Sequence, residues 1–271
     1  MNIFYWLHYF SPSPIAFNLG GLAIHWYGIC LALAILVSLL ITIKLAKVYE
    51  IETDLILDLA IYLIIGGLIG ARIYDVFLNW SIYSNDYLEI IKVWHGGLAI
   101  HGGLIGGIIV LIIFSNYRLR KSKLNFYKLA SLIIPGLAIG QAIGRFGNWF
   151  NQELFGTPTN SLIGIPIDLI NRPFGYENYN YFQPTFLYES LSMLIVGLVL
   201  YRLVKNKKIP GQIILGIYLI VYGLIRFSLE FIKIDATPMI GFLRWPQVIS
   251  LVMIIVGFGL IFLKKNRAVI D

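Results

Sequence analysis

The sequence predicts an all-α integral membrane protein with seven transmembrane helices, and three observations carry that reading. Of its 271 residues, 58% are hydrophobic and only 13% charged, whereas soluble domains carry about 25% charged residues. The mean hydropathy is +0.79. The chain also divides into seven runs of the roughly 20 mostly apolar residues that a bilayer-spanning helix needs. This composition excludes a water-soluble globular domain. It also excludes a disordered chain, which needs low hydrophobicity and high charge, and a disulfide scaffold, because Cys30 is the only cysteine.

The spans are read near 21–46, 55–80, 95–118, 128–150, 184–205, 210–232 and 245–264. Residues 1–17 hold no Lys or Arg, so they lack the positive n-region of a cleaved signal peptide and the N-terminus is expected to be retained. A short arm, about 81–94, separates the second and third spans; its Tyr83, Tyr87 and Trp94 suit a membrane interface. The one long connection, about 151–183, follows the fourth span. Loops of that length are usually functional or disordered. Phe155, Phe174, Tyr176, Tyr179, Tyr181 and Phe182 predict a packed cap there. A single polytopic domain, 1–271, is expected, with no separate soluble domain.

Small residues four apart let membrane helices approach closely. Gly66 and Gly70, Gly102 and Gly106, Gly103 and Gly107, and the series Gly136, Gly140, Gly144 all have that spacing. Helix packing explains most of them.

Charge orients the chain. With the N-terminus outside, the inner segments hold Lys44, Lys47, Arg118, Arg120, Lys121, Lys123, Lys128, Arg202, Lys205, Lys207, Lys208, Lys264, Lys265 and Arg267. The outer segments hold only Lys92, Arg172, Lys233 and Arg244. By the positive-inside rule the N-terminus is outside and the C-terminus cytoplasmic, with arm and cap external. The net charge of +7 is then a matter of topology, and no nucleic-acid partner is expected.

Three arginines remain within spans: Arg72, Arg145 and Arg226. Each opposes insertion by about 2.5–3.5 kcal/mol at the bilayer centre, so such groups face a cavity or a partner. In this topology Arg72 with Asp75, Arg145 with Asn148, and Arg226 with Glu230 fall in the outer half. So do His25, Tyr27, His95 and His101. The spacings of Arg72/Asp75 and Arg226/Glu230 favour local ion pairs; Arg145 has no acid on its own helix. An arginine fork binds phosphate through two strong parallel bonds, so glycine-flanked Arg145 fits a phospholipid headgroup. No metal is expected, since His95 and His101 alone make a poor site, and no cofactor is expected.

The run Gly144-Arg145-Phe146-Gly147-Asn148-Trp149-Phe150-Asn151-Gln152-Glu153-Leu154-Phe155-Gly156 resembles the signature of the prolipoprotein diacylglyceryl transferases. His25-Trp26-Tyr27-Gly28, the run from Trp94 to Gly103, and the run from Tyr222 to Phe231 resemble that family's first-, third- and sixth-span motifs, in the same order. Two positions depart. Gln183 stands where the family commonly has His in the Gln183-Pro184-Thr185-Phe186-Leu187-Tyr188-Glu189 segment, and Ser131 stands where some relatives have an acid.

The resemblance implies a multi-pass enzyme of the cell membrane. Such an enzyme moves the diacylglyceryl group of phosphatidylglycerol to the lipobox cysteine of a preprolipoprotein signal peptide, forming a thioether and releasing glycerol phosphate, as the first step of lipoprotein maturation. The residues suit that chemistry: a thiolate is the required nucleophile, and the departing phosphate needs positive donors. Arg145 and Arg226, with Asn148, are assigned to the headgroup, Arg226 also against the charge that develops. His101, read about six residues and roughly 9 Å inside the third span, is assigned as general base or as the group positioning the thiol, with Tyr27 nearby. Its alternative is a packed histidine. Glu153 and Gly156 are expected to shape the turn into the cap, with Tyr222, Glu230 and Arg72 in support. The rival function is a small-molecule or lipid transporter using the same outer-half polar cavity. It predicts polar groups in both halves and an internal repeat, neither of which the sequence displays.

Overall fold

The computed structural model describes residues 3–117 and 124–267. Arg118, Arg120, Lys121 and Lys123 of the basic connection, and residues 268–271, lie outside the described residues. In chain order the α-helices are α1 (Ile3–Tyr9), α2 (Trp26–Val48), α3 (Thr53–Leu78), α4 (Trp80–Tyr83), α5 (Ile100–Tyr117), α6 (Phe126–Phe150), α7 (Thr185–Lys205), α8 (Gly211–Leu229) and α9 (Trp245–Arg267). The strands form antiparallel pairs: β1 (Ile15–Leu19) with β2 (Leu22–His25), β3 (Ile165–Pro166) with β4 (Tyr181–Phe182), and β5 (Met239–Ile240) with β6 (Leu243–Arg244). Among the described residues, seven helices are long and apolar enough to cross a membrane, and each answers one of the expected spans. The chain is an all-α, multi-pass membrane protein. It forms two compact units, Met1–Thr42 with Ile133–Asp271, and Ile43–Leu132.

Two span boundaries move, both at glycine pairs. The first span begins at Trp26 rather than near 21, because Gly20 and Gly21 (φ +54° and +88°) turn β1 back onto β2. Positive φ at both central residues matches the twist of a two-residue hairpin. His25 is therefore the last residue of a strand, opposite Ile15, and not part of a helix. The third span begins at Ile100 rather than near 95, because Gly96 and Gly97 (φ +89° and +71°) hold the preceding backbone in the left-handed region. His101 accordingly sits in the first turn of α5 and is exposed, not six residues into the helix.

In the first unit, α6 is the central element. Gly136 and Gly140 face α2, where an added Cβ would meet Ser38 and Ala34. Ser38 donates to the Gly136 carbonyl at 2.7 Å. On α7, Ser190 donates to the Ala142 carbonyl at 2.8 Å, and Gly197 lies against Ile139 and the Pro135 carbonyl. Gly216 and Gly257 bring α8 and α9 together backbone to backbone. Of the six aromatic residues expected to pack the cap, Phe155 and Phe182 are buried with Leu7, Trp149, Ile165, Ile167 and Phe186, and Tyr176 packs against them. Phe174 and Tyr179 are exposed, at 97% and 51%.

In the second unit, α3 and α5 are packed through the expected glycines. Gly66 and Gly70 face Gly102 and Gly106, so close that a Cβ on Gly70 or Gly102 would overlap the partner's carbonyl. Gly103 and Gly107 do not share that closeness. The arm carries α4 and two 3-10 turns, Tyr87–Ile91 and Val93–His95.

Candidate active site

Arg145 lies in the last two turns of α6, where Gly144 and Gly147 leave the helix thin. The Tyr27 ring lies against Gly147, where a Cβ would stand 2.7 Å from Tyr27 Cδ2. The sequence leaves Arg145 without an acid of its own, and the fold supplies one from 44 residues away. Arg145 Nη2 meets Glu189 Oε1 of α7 at 2.5 Å, and Nη1 donates to Asn148 Oδ1 at 3.0 Å. Asn148 Nδ2 in turn donates to Glu153 Oε1 at 2.7 Å. Glu153 is exposed and, among the described residues, forms no ion pair within 4 Å with an arginine. It anchors Asn148 and so orients the arginine through it.

Glu189 is the centre of a larger cluster. Its Oε2 lies 3.9 Å from Arg226 Nη1 and 3.7 Å from Lys233 Nζ. Arg226 Nη2 pairs with Glu230 Oε2 at 3.2 Å, the i,i+4 pair expected from the sequence. Glu230 Oε1 also meets Arg244 Nε at 3.2 Å, and Arg244 Nη2 reaches Asp235 Oδ2 at 3.5 Å. Tyr222, one helical turn before Arg226, interacts with Glu189, Arg145 and Arg226. Side-chain exposure is 2% for Glu189, nil for Glu230 and 1% for Lys233. Buried charges persist only when paired.

The three strands of chain that meet here are tied by backbone bonds. After α6, Gly156 N donates to the Gln183 carbonyl at 2.9 Å, and Thr157 N to the Ile232 carbonyl at 2.8 Å. Gly156 bridges Lys233 in antiparallel fashion. A Cβ on Gly156 would stand 3.0 Å from both Gln183 Cβ and the Ile232 carbonyl oxygen. Gln183, the departure from the family motif, donates from Nε2 to Thr157 Oγ1 at 3.1 Å, and Thr185 donates to the Leu154 carbonyl. Gly156 thus lies in close contact with Gln183 and Ile232 and pairs with Lys233 beside the start of α7.

The cluster holds four cations (Arg145, Arg226, Lys233 and Arg244) and three carboxylates (Glu189, Glu230 and Asp235). One positive charge is in excess. Arg226 Nη1 and Lys233 Nζ are buried and make no hydrogen bond among the described residues; nor do Glu230 Oε1 and Oε2, held in ion pairs at 3.2 Å, or Asp235 Oδ1. Burial and the neighbouring Arg226 push the Lys233 ammonium down to about 8. Donors without acceptors and a surplus of positive charge make a receptor for an anion.

The remaining expected site residues belong to the other unit. Arg72 is buried, and its partners are not Asp75 but backbone carbonyls of the arm: Ile90 from Nε at 2.9 Å, Gly96 and Gly97 from Nη1 at 2.6 and 2.9 Å, and Glu89 from Nη2. Asp75 accepts from Tyr83 at 2.6 Å instead. The bend at Gly96–Gly97 carries those carbonyls to the guanidinium and leaves the expected ion pair unformed. His101 lies beside Tyr74, ring centroids 6.0 Å apart, and His95 Nδ1 is 2.8 Å from Glu89 Oε2. Among the described residues no group of three His, Cys, Asp or Glu is placed to hold a metal.

Sequence comparison agrees with the motifs. Residues 14–263 match the family model for prolipoprotein diacylglyceryl transferase. The chain is 39% identical to the phosphatidylglycerol–prolipoprotein diacylglyceryl transferase of a Synechocystis species, over 94% of this chain and 92% of that protein. It is 41% identical to the enzyme of the same name from Acaryochloris marina, over 93% and 91%, and 40% identical to that from Listeria welshimeri, over 94% and 91%.

Proposed function

The chain belongs to the prolipoprotein diacylglyceryl transferase family, and from that premise we propose how it performs the first step of lipoprotein maturation at the residues described above. It is a transferase. Its donor is phosphatidylglycerol, and its acceptor is the lipobox cysteine of a preprolipoprotein signal peptide in the cell membrane. The thiolate attacks the glyceryl carbon that carries the phosphate ester. A carbon–sulfur bond forms as the carbon–oxygen bond breaks, and glycerol phosphate leaves with the electron pair.

The observation that carries this reading is the cluster around Glu189, with its excess positive charge and two buried cationic donors that make no hydrogen bond among the described residues. Arg145 and Arg226 hold the phosphodiester, with Asn148 keeping Arg145 in place. The leaving phosphate gains a negative charge, and Arg226 Nη1 is a donor preorganised to receive it. Glu189 and Glu230 position these arginines; without them the empty site would carry several unpaired buried cations. Tyr27 and Tyr222 border the guanidinium groups. His101 is assigned the thiol proton on the strength of its motif alone. Arg72 holds the arm. The transferase names of the relatives leave the transporter alternative without support.

The function is tested by incubating the purified protein with phosphatidylglycerol and a lipobox peptide, then weighing the peptide. The cysteine peptide should gain one diacylglyceryl mass while glycerol phosphate appears. A peptide with Ser in place of that Cys should gain nothing. An unmodified cysteine peptide after many enzyme equivalents of lipid would refute the proposal.

A further inference from the structure

Arg145, Arg226 and Arg244 stay charged at any pH a protein meets, so titration of the cation cluster falls to another member. Lys233 is built differently from its neighbours. Its backbone is fixed twice, by the bridge to Gly156 and by Arg244 Nη1, which donates to its carbonyl at 2.6 Å. Its side chain is 1% exposed and its ammonium makes no hydrogen bond among the described residues, with Glu189 Oε2 paired to it at 3.7 Å. An ammonium has three donors. A buried one held in place with none of them used is directed at an absent acceptor.

We propose that Lys233 contacts the lipid phosphate and is the titratable cation of the headgroup site, supplying its positive excess when protonated and leaving the site electrically balanced when neutral. The inference rests on the headgroup reading above. The groups facing Lys233 are Arg145 on α6, Glu189 on α7, and Arg226 and Glu230 on or just after α8; Asp235 and Arg244 follow in the same segment. Lys233, pushed down to about 8, loses its proton just above neutrality. The sign follows: as pH rises through 8, four cations against three carboxylates become three against three, and affinity for an anion falls. Bound phosphate holds the proton on, so the loss belongs to the free enzyme.

The probe is a short-chain phosphatidylglycerol, whose phosphodiester remains a monoanion throughout. Its binding to the full-length protein in detergent is measured from pH 6.5 to 9.5, with phosphatidylcholine of the same chains as control. A group titrating near 8 is about nine-tenths neutral at pH 9, so wild-type affinity should fall about tenfold between pH 7 and 9. Lys233→Arg should keep its affinity to pH 9. Lys233→Met should be insensitive to pH and bind more weakly than the wild type even at pH 9, where about one-tenth of the wild type is still protonated. If Lys233→Met does not fold, Lys233→Arg decides alone. A wild-type decline that persists unchanged in Lys233→Arg overturns the inference. So does binding that prefers phosphatidylglycerol but is flat with pH. No preference for phosphatidylglycerol at any pH would instead remove the headgroup reading on which the inference stands.

Discussion

Glu189 shows at the residue scale what the sequence reveals of a site and what it withholds. Its carboxylate pairs with Arg145 of α6 and with Arg226 and Lys233 of α8 and the residues just after it. Replacing it by Gln keeps the shape and removes the charge. Breaking a buried ion pair costs about 3–5 kcal/mol, so Glu189→Gln should lower the thermal midpoint and abolish turnover together. Glu153→Gln, at an exposed carboxylate, should change stability by about 0.5 kcal/mol or less. Thermal scans and the peptide assay on both variants check this; equal effects would contradict the buried cluster. Arg145, Arg226 and Glu230 were legible because ionisable groups in apolar spans are conspicuous and because Arg226 and Glu230 are four apart. Glu189 was equally conspicuous in span 184–205, but its partner is 44 residues distant and no local spacing announces it. Lys233 and Arg244 were harder still, since outside a span they read as ordinary loop charges.

At the scale of elements, hydrophobic runs located all seven helices, while glycine pairs decided where two of them begin. Gly20–Gly21 and Gly96–Gly97 sit at the ends of apolar runs, so hydropathy alone carries each helix past its true start. The consequence for His101 is direct: it stands in the first turn of α5. The GxxxG series was legible as packing, but not which glycines meet which. Gly102 and Gly107 separate the two cases. A Cβ on Gly102 would overlap the Gly70 carbonyl and Tyr74, whereas on Gly107 the nearest atom is Leu63 Cδ2 at 4.0 Å. Overpacking costs about 1–3 kcal/mol, so Gly102→Ala should destabilise the protein by that much and Gly107→Ala should leave it unchanged. Thermal melts of both in the same detergent decide it, and equal midpoints would deny the close α3–α5 approach.

For the whole molecule, we propose that the distribution of Lys and Arg orients the chain with its N-terminus outside. Reporter fusions after Lys47 and Lys208 should read cytoplasmic, and those near Asp86 and Asn171 external. A cytoplasmic signal at Asn171 would invert α6 and put Arg145 on the wrong face for a secreted acceptor. On the proposed reading, the acid-cushioned arginines of the first unit hold the phosphate through their forks. Lys at either position keeps the charge and loses the fork, and one hydrogen bond to a charged group carries about 1.5–3 kcal/mol, roughly 10- to 100-fold in rate. The most direct measurement is kcat/KM for phosphatidylglycerol with Arg145→Lys and Arg226→Lys, each shown to be folded by its thermal midpoint. Both should fall by at least about tenfold; wild-type turnover with normal lipid affinity in both would contradict the fork and leave a point charge as sufficient.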